Sequence, residues 1–271
     1  MNTTAKISLC QFKVGSDKIS NINKAREYIV NACNNGSNIV VLPECFICPY
    51  NTKIFKENAE KIFNPNDESC KAFKMLVEVS RTNPNVYIFG GSIIEEDKDG
   101  LLYNTCLVLY GGKVEGIYRK NNLYKINILE HNFCEGDVLT PGNQPTIIGT
   151  KYGNIGIGIC YDLRFSELAK NYMLKDCGLI IYPGSFNRIT GPKHWKLLQQ
   201  VRALDNQLFV ASCSAACSFG SEYESYGKSF LISPWGDTLC ETELDKEQIV
   251  TGNINWNIMS DIRQNLPILK N

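Results

Sequence analysis

The sequence predicts an α/β protein whose sheets are covered by helices on their outer faces. Three observations predict it. Consecutive apolar runs such as Ile39-Val40-Val41-Leu42 read as strands buried on both faces. Segments with helical apolar spacing alternate with such runs in both halves of the chain. Between the halves lie hairpin signals, Asp99-Gly100 and Gly111-Gly112. No linker, low-complexity tract or short-period repeat divides the 271 residues, so 1–271 reads as a single domain.

Lys6–Phe12 is the first expected strand. A helix follows, with Ser16 as its N-cap, Ile19, Ile22, Ala25, Ile29 and Cys33 on its apolar face, and Gly36 past its end. Asn38–Glu44 is the next strand, 67–81 the next helix and Val86–Ile94 a third strand. Two hairpins then carry Tyr103–Tyr110 and Lys113–Tyr118. Residues 119–146 read as one long irregular stretch, of the kind that usually serves function. The alternation resumes with strand Asn154–Cys160, helix 166–175, strand Leu179–Tyr182, helix 192–206 and strand Leu208–Ser212. Ser229–Ser233, Thr238–Glu241 and Ile249–Ile254 are further strands, and a helix over 256–265 closes the pattern.

Composition narrows the function classes. Lys and Arg number 28, as do Asp and Glu, and a net charge of zero lacks the footprint of a general nucleic-acid or anionic-membrane binder. The expected partner is a small molecule or a protein. No stretch reaches eighteen uninterrupted apolar residues, and Met1–Ile7 lacks the basic and apolar segments of a secretory signal. A cytoplasmic protein is therefore expected. Its twelve cysteines are then reduced, and each is a buried apolar residue, a metal ligand or a nucleophile.

Common catalytic signatures are missing. There is no G-x-G-x-x-G after a strand, no P-loop, no G-x-S-x-G and no H-E-x-x-H, and the only histidines are His131 and His194. Cys160 is the best nucleophile candidate. It ends Gly156-Ile157-Gly158-Ile159-Cys160, whose glycines allow close approach, and it opens onto a helix whose positive end would favour a thiolate. The same pattern also suits a buried structural cysteine. Glu44, at the C-terminal end of a buried strand, stands where open α/β sheets place ligands, and desolvation there would raise it toward the range of a general base. Lys120, just past another strand, is a candidate cation for an oxyanion. A solvated strand end and a basic surface pair are the alternatives for these two. Cys45-x-x-Cys48 could be half of a zinc site with Cys213 and Cys217, although Pro49 argues against a redox motif opening a helix.

Taken together, Leu-Pro-Glu-Cys-Phe at 42–46, Tyr-Arg-Lys at 118–120, Gly-Ile-Cys-Tyr-Asp-Leu-Arg-Phe-Ser-Glu-Leu at 158–168, Tyr-Pro-Gly-Ser-Phe-Asn at 182–187 and Thr-Gly-Pro-Lys-His-Trp at 190–195 resemble the nitrilase (carbon-nitrogen hydrolase) superfamily. The resemblance runs from the first strand to about Pro267 and is greatest to the omega-amidase branch. It implies an α-β-β-α sandwich that forms a homodimer, and a triad of Glu44, Lys120 and Cys160. It also implies a second glutamate near the lysine, for which Glu135 fits better than Glu130. No metal or organic cofactor is implied. Two positions depart from the branch. Lys125 stands where an acidic residue is usual, and Lys228 stands where Gly-His-Ser is usual.

The expected activity is release of ammonia from the terminal amide of a small dicarboxylate monoamide, such as 2-oxoglutaramate or 2-oxosuccinamate, through a Cys thioester. The Tyr161 backbone N–H would join Lys120 at the oxyanion. Arg164 and Arg188 are candidates to hold the far carboxylate, with Tyr50 and Phe186 as apolar walls. Deaminated glutathione or a carbamoyl amine are alternative substrates, and a non-catalytic zinc or thiol protein is the remaining reading.

Overall fold

The computed structural model describes residues 4–64, 66–128, 131–221 and 223–268. In chain order the first half comprises β1 (Thr4–Gln11), α1 (Lys18–Asn34), β2 (Ile39–Val41), α2 (Thr52–Asn58), α3 (Lys71–Thr82), β3 (Tyr87–Phe89), β4 (Ile93–Glu96), β5 (Leu102–Tyr110), β6 (Lys113–Arg119), β7 (Lys125–Ile128) and β8 (His131–Cys134). The second half comprises β9 (Ile147–Thr150), β10 (Gly153–Ile157), α4 (Ser166–Leu174), β11 (Cys177–Gly184), α5 (Gly191–Asn206), β12 (Phe209–Ser214), β13 (Phe230–Ile232), β14 (Thr238–Glu241), β15 (Gln248–Asn255) and α6 (Trp256–Asn265).

Two sheets result. One runs β15-β1-β2-β3-β5-β4, with β6 also pairing β5, and the other runs β14-β13-β12-β11-β10-β9. Each has a parallel centre, β1-β2-β3 in one and β10-β11-β12 in the other, which forces crossover helices between consecutive strands. Those crossovers fix the layers. α1 and α3 cover the outer face of the first sheet, α4 and α5 cover the second, and the sheets meet through β1 with β12 and β6 with β9. The order is α-β-β-α, as the resemblance implies.

Side chains alternate between two apolar cores. Ile39, Val41, Tyr87 and Phe89 join Ile155, Ile157 and Leu179 in the inter-sheet core. Val40, Leu42 and Ile88 turn the other way, onto Ile22, Ala25 and Ile29 of α1 and Leu76 of α3. Burial on both faces explains why these strands read as continuous apolar runs.

Several boundaries differ from the expectation. Asp17, not Ser16, caps α1, because its carboxylate accepts from the Ser20 N–H. The expected strand Val86–Ile94 is two strands broken at Gly90-Gly91-Ser92. Gly91 has φ +61°, and a Cβ there would stand 2.1 Å from the Pro43 carbonyl oxygen, so only glycine lets the chain turn this close to Pro43. α2 was not expected. The stretch 119–146 contains the β7-β8 hairpin, whose alternation is too short to stand out in the sequence.

Candidate active site

β2, β6 and β10 end on the same side of the molecule, and the residue types at their ends set the chemistry. Glu44 follows β2 and Pro43. Cys45 beside it is held at φ +48° while its N–H donates to Ser92 Oγ at 2.9 Å. Lys120 follows β6, its N–H donating to the Asn104 carbonyl and its own carbonyl accepting from Gly142. Glu135 follows β8, its N–H donating to the Tyr124 carbonyl. Cys160 opens a single 3-10 turn, 160–164, with φ +47°, a left-handed conformation costly for a non-glycine residue.

Asp162 holds that turn. Its Oδ2 accepts from the Tyr118 hydroxyl at 2.8 Å and the Ile159 N–H at 2.9 Å, and its Oδ1 accepts from the Asn122 N–H at 2.8 Å. One buried carboxylate thus ties the cysteine turn to both sides of Lys120.

The Lys120 ammonium is fully buried and lies 2.9 Å from Glu44 Oε1 and 2.9 Å from Glu135 Oε2. It also donates to the Tyr50 hydroxyl at 3.3 Å, and that hydroxyl donates to Glu135 Oε1. Asn104 Nδ2 donates to Glu44 Oε1 at 2.9 Å. Both donors therefore occupy one oxygen of Glu44. Among the described residues Oε2 receives no hydrogen-bond donor, and Cys160 is the thiol whose ionisation is linked to this carboxylate.

Electrostatics follow from burial. Glu44 is pushed up by desolvation and by Glu135, against the opposing pull of Lys120. Burial by itself disfavours the Lys120 charge, but Glu135 and Glu44 outweigh it and hold the ammonium well above its ordinary pKa. Cys160 is also pushed well above its ordinary value, by burial first and then by Glu44, with Lys120 and a Ser185 backbone hydrogen bond opposing. This direction runs against the expected helix-stabilised thiolate. A single 3-10 turn carries little dipole to set against desolvation, and burial therefore favours the thiol. The strand glycines also serve packing instead of ligand approach: a Cβ on Gly158 would stand 2.4 Å from the Tyr182 ring.

A small cleft of about 10 Å³ lies against Cys160, with Tyr124, Tyr161, Arg164, Phe186 and Tyr223 in its wall. Phe186 stacks obliquely on Trp195 at 4.5 Å, and the Arg164 guanidinium lies 5.0 Å from the Phe186 ring centre. Among the described residues Arg164 has no carboxylate partner, and its polar neighbour is His194 Nδ1 at 3.3 Å. Burial and Arg164 lower the His194 pKa, so the imidazole faces the guanidinium as an acceptor. Arg188 does not reach this cleft. It pairs with Glu224 at 3.7 Å, beside an outer cavity of about 680 Å³. Tyr50 stands in the wall of that cavity, but its hydroxyl is engaged by Glu135 and Lys120, a polar role the sequence reading did not assign.

Lys125 is exposed on β7, and Lys228 pairs with Glu241 at 2.9 Å, so neither departure enters the cluster. Glu130 lies outside the described residues. Cys213 donates to the Cys10 carbonyl, and among the described residues no three His, Cys, Asp or Glu side chains gather as a metal-binding group. No described helix is long and apolar enough to cross a membrane. Asn104, Asp162 and Tyr223 were missed. The available signal for Asn104 was the polar pair Asn104-Thr105 inside the largely apolar run of β5.

Two sheets in this layer order, with buried glutamate, lysine and cysteine at adjoining strand ends, define an amide-cleaving class, and residues 6–264 match the sequence model of the carbon-nitrogen hydrolase family. The chain belongs to that family. It is 41% identical over 271 residues to human omega-amidase NIT2, covering 99% of this chain and 95% of that protein. It is 44% identical over 268 residues to the chloroplastic omega-amidase of Arabidopsis thaliana, covering 98% of this chain and 72% of that one. The crystal structure of Saccharomyces cerevisiae Nit3, a member of branch 10 of the nitrilase superfamily, superposes with a TM-score of 0.90 at 36% identity, covering 99% of this chain and 96% of that one.

Proposed function

We propose that this chain is an omega-amidase, releasing ammonia from the terminal amide of a dicarboxylate monoamide such as 2-oxoglutaramate or 2-oxosuccinamate. The observation that carries the substrate class is Arg164, a guanidinium in the wall of the Cys160 cleft for which no described residue supplies a carboxylate partner. An amide at the sulfur and a carboxylate at Arg164 describe the two ends of such a molecule. The similarity to relatives named omega-amidase supports the same reading.

In the proposed mechanism, the amide carbonyl enters beside Cys160, Glu44 Oε2 takes the thiol proton and sulfur attacks carbon. Lys120 and the Tyr161 N–H steady the oxyanion. This turn's first internal bond runs from the Asp162 N–H to the Ile159 carbonyl, so the N–H groups of Cys160 and Tyr161 stand ahead of it. Collapse breaks the C–N bond, with Glu44 returning the proton to the departing nitrogen. Water activated by Glu44 then forms the C–O bond, the C–S bond breaks, and the proton returns to sulfur. Glu135, with Tyr50, fixes the ammonium of Lys120.

All twelve cysteines are free thiols, which supports a reducing compartment, and we place the enzyme in the cytoplasm. Exposed Leu197 and Leu204 on α5 support a homodimer. The size of the outer cavity favours one alternative, a longer substrate such as deaminated glutathione.

A panel of monoamides tests the reading. The kcat/KM for 2-oxoglutaramate should exceed that for deaminated glutathione, and its carboxylate methyl ester should be poor. Arg164→Leu should erase that gap by raising KM for the free acid, by about 10-fold or more for a lost charge-assisted hydrogen bond. Preference for deaminated glutathione would transfer the chain to the alternative. An unchanged KM in Arg164→Leu would remove Arg164 from substrate binding.

A further inference from the structure

A second cavity, of about 330 Å³, reaches the catalytic carboxylate from another direction. Its wall includes Glu44 but not Cys160, Arg164 or Phe186, whereas the cysteine cleft includes those three and not Glu44. Ser185 and Tyr223 belong to both walls and form the partition. The partition is fixed: the Tyr223 hydroxyl donates to the Ser185 carbonyl at 2.5 Å, and Ser185 Oγ bonds Ser225 Oγ at 2.6 Å.

The lining selects by size and charge. Buried Ala215 and Ala216 leave the room inside, and exposed Gly15 and Ser16 stand at the mouth with half-buried Ser218. The described lining holds no Lys, Arg or His, and its carboxylate is Glu44. A dicarboxylate monoamide would find no cation there and would meet a like charge. Serine hydroxyls suit a small neutral molecule that both donates and accepts hydrogen bonds.

The reaction needs such a molecule at this place. Once the acyl group is bound to sulfur it fills the narrow cleft, yet the second half-reaction must deliver water to Glu44. We propose that this cavity is the port by which hydrolytic water reaches Glu44 while the acyl-enzyme occupies the Cys160 cleft. This rests on the amidase reading. Water gives one proton to Glu44 Oε2 as its oxygen bonds the thioester carbon; the C–S bond breaks, and Glu44 passes the proton to sulfur.

Glutaric acid mono-p-nitrophenyl ester separates the half-reactions, because its good leaving group makes acylation fast. The nitrophenolate burst reports acylation, and the steady state reports deacylation. Ala216→Leu fills the cavity, and Ser218→Trp obstructs its mouth from a half-buried position. Both should keep the burst rate and slow the steady state, by roughly tenfold for Ala216→Leu, with the acyl adduct seen by intact mass. An unchanged steady state in both variants overturns the port. Equal slowing of burst and steady state also overturns it, by making the cavity part of substrate binding. If Ala216→Leu does not fold, Ser218→Trp decides. Failure of the amidase reading looks different: the wild-type protein would release no ammonia from 2-oxoglutaramate.

Discussion

Lys120→Met isolates what the buried ammonium does, since methionine keeps much of the volume and removes the charge. In the wild type the ammonium lies 2.9 Å from a carboxylate oxygen of each of two buried glutamates. Breaking a buried ion pair by deleting one partner costs about 3–5 kcal/mol, because the other charge is left uncompensated. At about 2–4 °C per kcal/mol for chains approaching this length, melting should fall by about 6–20 °C. Turnover should fall independently, by at least the roughly 10²–10³-fold typical of one lost oxyanion donor.

The pH dependence of that loss is diagnostic. Burial and Glu135 both raise Glu44, and Lys120 opposes them. Without the lysine, the folded-state pKa climbs further above its unfolded value. A carboxyl raised on folding binds more protons folded than unfolded, so its contribution to stability falls as pH rises from the unfolded pKa through the folded one. The melting gap between wild type and variant should therefore be smaller near about pH 5 than near about pH 8. Adding Glu135→Gln should restore part of the stability without restoring turnover. Scanning calorimetry across pH, beside an ammonia assay, reads both. A variant as stable as wild type at every pH would refute a lysine that compensates two buried carboxylates.

Two further outcomes follow from Glu44. Glu44→Gln keeps a hydrogen-bonding side chain but no base, and should lower kcat by about 10²–10⁴-fold with circular dichroism unchanged; a loss under about tenfold would move the base elsewhere, with Glu135 next. Asn104→Leu removes a donor from Glu44 Oε1, so the acid limb of kcat/KM should move to higher pH. A lowered rate with an unmoved limb would make Asn104 a packing residue only.

What the sequence disclosed about the fold was its alternation and its hairpins. Strands buried on both faces are continuous apolar runs, and Gly100 and Gly111-Gly112 mark their turns with the positive φ those turns need. What it concealed depends on contacts between distant segments. The break between β3 and β4 exists because Gly91 passes against Pro43, 48 residues away, and nothing near Gly91 announces that approach. The β7-β8 hairpin pairs strands of four residues, too short for alternation to stand above chance.

The site divides along the same line. Glu44, Lys120 and Cys160 could be picked out because each ends a strand with a reactive group. Their supports could not, because each works across a large sequence separation: Asn104 reaches Glu44 from 60 residues away, and Asp162 reaches Tyr118 from 44. Burial is likewise a property of the assembled molecule, and it reverses the conclusion drawn from the Cys160 turn alone. A thiol at a helix start reads as a preformed thiolate. Enclosed beside Glu44, the same sulfur is pushed toward its protonated form, and the open oxygen of Glu44 is placed to take that proton. Activation then accompanies attack instead of preceding it. Sulfur becomes a strong nucleophile only where a carbonyl is in place to receive it and Lys120 is in place to meet the charge, which spares a buried cysteine from the electrophiles and oxidants that a standing thiolate attracts.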